Sequence, residues 1–62
     1  MAKLYVYDKE YGICRDIITC ETERECLAQF EATWESNDYE ATFSPGLHAP
    51  EIGQKFVDMP EH

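Results

Sequence analysis

Basic side chains are scarce in this 62-residue chain: five lysines and arginines stand against thirteen aspartates and glutamates. A protein that grips nucleic acid or an anionic membrane surface needs a basic footprint. Neither is therefore expected as a direct ligand. Long apolar runs are also missing, and no stretch approaches the roughly 18 apolar residues of a membrane span. Met1-Ala2-Lys3 leads straight into Leu4-Tyr5-Val6-Tyr7, and Asp8-Lys9-Glu10 closes that run, so no secretory signal is legible. The chain holds no G-x-G-x-x-G, no Walker loop, no G-x-S-x-G and no H-E-x-x-H. A catalytic pocket of about 300 Å³ would consume much of so small a core. The expectation is a protein that is not an enzyme.

What is present is one domain, residues 1–62, with residues 58–62 read as a tail. A chain this short buries only about 60% of the surface it exposes when unfolded. Yet 44% of its residues are apolar, which is too many for a disordered segment. Cys14, Cys20 and Cys26 cannot all pair within one chain, and an odd count without export points to free thiols in a reducing cytoplasm. These cysteines are six residues apart and His48 and His62 are fourteen apart, which does not fit the close pairs of structural zinc sites. Neither a metal nor a cofactor is expected. Buried cysteine behaves as a small hydrophobe, and that is the role assigned to all three.

Period-two alternation over residues 3–7 predicts a strand, with Leu4 and Val6 on one face and Tyr5 and Tyr7 on the other. Gly12 closes a turn, and residues 13–19 form the second strand of a hairpin, its register open because Ile17 and Ile18 point to opposite faces. Thr22-Glu23-Arg24-Glu25 fits a capping box. Cys26, Leu27, Phe30 and Trp34 then share one arc of a helix predicted over residues 23–36. Residues 39–44 alternate again, and residues 54–58 are a candidate fourth, edge strand. The predicted fold is α+β, an antiparallel sheet of three strands with a fourth optional, and one amphipathic helix on one face, in the order β-β-α-β(-β). Its core is predicted from Leu4, Val6, Ile17, Cys26, Leu27, Phe30, Trp34, Ala41 and Phe43.

The acids are unevenly spread. Glu21, Glu23, Glu25, Glu31, Glu35, Asp38 and Glu40 fall within twenty residues, against Arg24 alone. Glu31 and Glu35 form an i,i+4 like-charge pair, which disfavours a helix by a few tenths of a kcal/mol, where a Glu–Lys pair would favour it. Four helical residues rise about 6 Å, of the order of the spacing between phosphates along a nucleic-acid strand. Glu21, Glu25, Glu31, Glu35, Asp38, Tyr39 and Glu40 are accordingly the candidate partner-binding residues. The competing reading leaves the acids to solubility and gives binding to the sheet face bearing Tyr5 and Tyr7, since tyrosine is enriched at interfaces. A monomer, or a weak homodimer through an edge strand, fits either.

By size, charge and layout the chain resembles the small anti-CRISPR proteins that phages and other mobile elements encode, in particular those directed at type I surveillance complexes. No diagnostic motif carries the likeness. It implies a stoichiometric inhibitor that blocks a basic nucleic-acid-binding site of a larger complex, without binding nucleic acid itself. The alternative is a small accessory or regulatory module that binds through its tyrosine-bearing sheet face.

Overall fold

Alternating side chains settle which strand faces which layer, and hydrogen-bond register settles the rest. The computed structural model describes residues 1–56. Strand β1 (Ala2–Asp8) pairs antiparallel with β2 (Cys14–Cys20) on one side and with β3 (Tyr39–Thr42) on the other, giving the sheet order β2-β1-β3. Helix α1 (Glu23–Thr33) lies between β2 and β3 in the chain and packs on β1 and β2. The protein is thus a small α+β fold of order β-β-α-β.

The hairpin turn is held by Asp8. Its backbone carbonyl accepts from the Gly12 amide at 3.0 Å, and its carboxylate accepts from the Tyr11 amide. Gly12 takes φ +68, a left-handed conformation that costs a residue with a Cβ about 1–2 kcal/mol. Leu4 pairs with Ile18, Tyr5 with Ile17 and Val6 with Asp16, after which the register slips so that Tyr7 meets Cys14. Arg15 is the extra residue of this β-bulge. Strict alternation would put Cys14 on the same face as Ile18; the bulge turns it to the tyrosine face.

Leu4, Val6, Ile18, Cys20, Cys26 and Phe30 make the core between sheet and helix, with Trp34, Tyr39, Ala41 and Phe43 packed at its margin. Two core assignments from sequence are corrected. Ile17 lies on the opposite face, because Ile18 is the residue opposite Leu4. Leu27 is 44% exposed: the arc that faces the sheet runs between Cys26 and Phe30, and at 100° per residue Leu27 falls about 60° beyond Phe30.

The helix starts at the predicted cap with half of the capping box in place, the Glu25 carboxylate lying 3.5 Å from the Thr22 hydroxyl. Thr22 has extended backbone, its Oγ1 accepts from the Glu25 amide at 3.2 Å, and Glu23 and Glu25 occupy the first turn. It ends at Thr33, three residues short of the predicted Ser36. Trp34 donates its amide to the Phe30 carbonyl and then leaves the helix with φ −114 and ψ 142. That exit lays its indole edge-on to Tyr39, with ring centroids 4.8 Å apart. The chain then reverses about Glu35, whose carbonyl accepts from the amides of both Asp38 and Tyr39.

The sheet's second face is covered as well. Phe56 packs edge-on to Tyr7 at 5.1 Å, and with Tyr5, Cys14 and Ile17 they form a second core. The covering segment is tied to the end of β2: Cys14 donates to the Gln54 carbonyl at 2.8 Å, and Gly53 donates back to Cys14 at 2.7 Å. Lys55 bridges Ile13 antiparallel, but only as an isolated bridge. Of the candidate fourth strand, residues 57 and 58 lie outside the described residues, as does the tail at 58–62.

Candidate functional site

The seven candidate residues fall at four places in the structure. Glu21 and Glu25 sit at the N-terminal end of α1, exposed, with Glu25 engaged to the Thr22 cap through its amide. Glu31 and Glu35 sit at the other end, and together line a groove of about 520 Å³ whose apolar side is built by Leu27, Phe30 and Trp34. Asp38 and Tyr39 border a separate hollow of about 340 Å³, shared with Asp8, Lys9, Tyr11 and Arg15.

Glu40 parts company with the rest. It lies opposite Tyr7 in the β1–β3 pairing, on the sheet face turned away from the helix, and accepts a 2.8 Å hydrogen bond from the Tyr7 hydroxyl. Lys9 approaches it at 4.0 Å. Burial, then the hydrogen bond to Glu40 and its negative charge, push the Tyr7 hydroxyl up to about 12. Glu40 is therefore a structural partner of Tyr7 as much as a surface acid.

The row of helical carboxylates anticipated from an i,i+4 spacing does not form. Glu35 lies beyond the end of α1. Glu25 and Glu31, six residues apart, are separated by about 120° around the axis. The acids instead flank both sides of an outer ridge made by the exposed Ala28 and Ala32. The result is a broad acidic surface. Among the described residues the ion pairs are Lys9–Glu40 and Arg15–Asp8, so neither engages an acid of α1 or of the turn after it.

The tyrosine-bearing face of the alternative reading is not open. Tyr5 and Tyr7 are 9% and 4% exposed, because Phe56 and its segment cover them. Of the tyrosines on β1 and its turn, Tyr11 is the exposed one, at 58%.

Sequence reasoning placed Leu27 and Trp34 in the core and so missed the groove. The available signal was Leu27's place at the edge of the apolar arc, next to Glu31 in the following turn. Trp34 is half-buried, and its indole Nε1 is enclosed with no hydrogen-bond partner among the described residues. Such an orphan donor costs about 1–3 kcal/mol.

The thiols are packed as small apolar groups. Cys26 is fully buried, and its Sγ lies 3.5 Å from the carbonyls of Ala2 and Ile18. Gln29 Nε2 donates to Cys20 Sγ at 3.1 Å. Burial pushes the thiols of Cys14 and Cys20 up, away from the reactive thiolate. Among the described residues, no three His, Cys, Asp or Glu side chains are grouped to hold a metal ion. No described helix is long and apolar enough to cross a membrane.

No protein-family model, curated protein or solved structure matches the chain.

Proposed function

We propose that this protein is a stoichiometric inhibitor whose acidic surface occupies a basic, nucleic-acid-binding site of a larger protein, in the manner of anti-CRISPR proteins aimed at type I effector complexes. The observation that carries the reading is the concentration of acid on α1 and its flanking turns, with Arg24 as the one base in that segment. Glu21, Glu23, Glu25, Glu31, Glu35 and Asp38 are all exposed there. Acids gathered on one surface with a single base among them repel one another through the summed field of the protein. Unlike-charged surfaces accelerate encounter and reject wrong partners, a return that offsets the repulsion only when a basic partner exists. Because the acids form a surface and not a phosphate-like row, the reading rests on charge complementarity over an area. It does not require atom-for-atom imitation of a DNA strand.

Charge reversal tests it. The Glu31→Lys/Glu35→Lys double variant, compared with wild type for binding to a purified type I effector complex, is expected to lose binding by about a hundredfold or more, mainly through slower association. Circular dichroism should be unchanged, since both side chains are exposed. Undiminished binding by a folded variant would remove the acidic surface from the interface.

A further inference from the structure

A helix ends with its last carbonyls unpaired and partly negative, and a lysine or arginine in the last turn ordinarily offsets this. α1 has no basic residue in its last turn. It carries Glu31 there, and Glu35 follows just beyond the cap. This end of the helix is therefore short of positive charge twice over, by its own dipole and by two carboxylates.

The same end holds an apolar surface. Leu27, Phe30 and Trp34 form one side of the groove that Glu31 and Glu35 border. Leu27 leaves 44% of its surface exposed beside Trp34. An occupant must match both halves: an apolar body against Leu27 and Phe30, and a positive terminus between the carboxylates. A purely aliphatic side chain would strip water from Glu31 and Glu35 without replacing it. An anion is repelled. Long basic side chains have the required form, an apolar stem with a charged head. Between the two, arginine fits better, because its guanidinium is planar and more weakly hydrated. It stacks on an aromatic face and pairs with carboxylates through a fork of N–H donors.

We propose that this groove receives an arginine side chain of the partner protein, its guanidinium against Trp34 and paired to Glu31 and Glu35. The inference rests on the acidic-surface reading and narrows it. General attraction would accept lysine and arginine alike, whereas this groove discriminates between them and gives the acidic surface a fixed anchor.

Trp34 is the chain's one tryptophan, so its fluorescence reports on the groove. The full chain would be titrated with tetra-arginine amide and with tetra-lysine amide at equal ionic strength. Saturable change in Trp34 emission is expected, with the arginine peptide binding about fivefold or more tighter than the lysine peptide. Leu27→Ala and Glu35→Gln alter exposed side chains and should leave the fold intact, as checked by circular dichroism. Each is expected to weaken the arginine peptide by about threefold or more and to narrow the gap between the peptides. Equal affinity for the two peptides, an unresponsive Trp34, or indifference to Leu27→Ala would overturn the groove as an arginine site. Salt-sensitive binding of both peptides alike would do so while leaving the acidic-surface reading in place. That reading fails separately, when an effector complex keeps its grip on nucleic acid in the presence of this protein.

Discussion

Asp8 shows how much one carboxylate can organise. It closes β1, accepts from the Tyr11 amide inside the turn, and takes two hydrogen bonds from Arg15, at 3.0 Å from Nε and 2.8 Å from Nη2. Arg15 can reach it because the β-bulge places that residue out of register. The Tyr11 amide above all, and then the Arg15 guanidinium, hold the Asp8 carboxyl below its ordinary value of 3.8. Its contribution to stability is complete above that value and is lost as pH falls through the lower, folded-state value. Tyr7 sets the opposite limit. Its hydroxyl is raised from 10.0 to about 12, so the neutral form is the one the fold favours. That contribution is complete below pH 10 and disappears as pH rises toward about 12. Denaturant melts across pH should therefore show Asp8→Asn losing part of the acid-side slope and Tyr7→Phe part of the alkaline one. Unchanged slopes in both variants would contradict these two assignments.

At the scale of elements, the N-terminus of α1 was legible and its C-terminus was not. Thr22 and Glu25 declare the cap through local chemistry alone, and the Oγ1–amide bond forms at 3.2 Å. Thr22→Ala is expected to cost about 1 kcal/mol, read as a lower denaturation midpoint with an unchanged slope. The far end depends on tertiary contact. Trp34 continues the helical apolar arc in sequence, but its packing on Tyr39 draws it into extended backbone. The same limit applies in β2. Alternation fixes that Ile17 and Ile18 face opposite ways; only pairing with β1 decides which meets the helix, and only the bulge turns Cys14 to the other side. The candidate site was legible as a charge imbalance along the chain. Its geometry was not, since the division of Glu31 and Glu35 from Glu40 follows from where the helix stops and which sheet face Glu40 occupies.

The described residues form a sheet with both faces covered, by α1 on one side and by the segment that carries Phe56 on the other. A core of this size supplies roughly 3–5 kcal/mol net. Phe56→Ala is expected to remove about 3–5 kcal/mol, enough to unfold most of the population or to expose Tyr5 and Tyr7. Thermal melting and tyrosine fluorescence would register it; a stable variant would mean the second core contributes little. The net charge of −8 acts on the whole chain too. Self-repulsion weakens the compact state, so added salt should stabilise the free protein while weakening its grip on a basic partner.

Those opposed responses lead to the central test: competition between this protein and target DNA for a purified type I effector complex, measured at low and at high salt. The acidic-surface account predicts that the protein displaces the DNA with one-to-one stoichiometry at low salt and that high salt restores DNA binding. Simultaneous binding of protein and DNA to the complex, or displacement indifferent to salt, would contradict it.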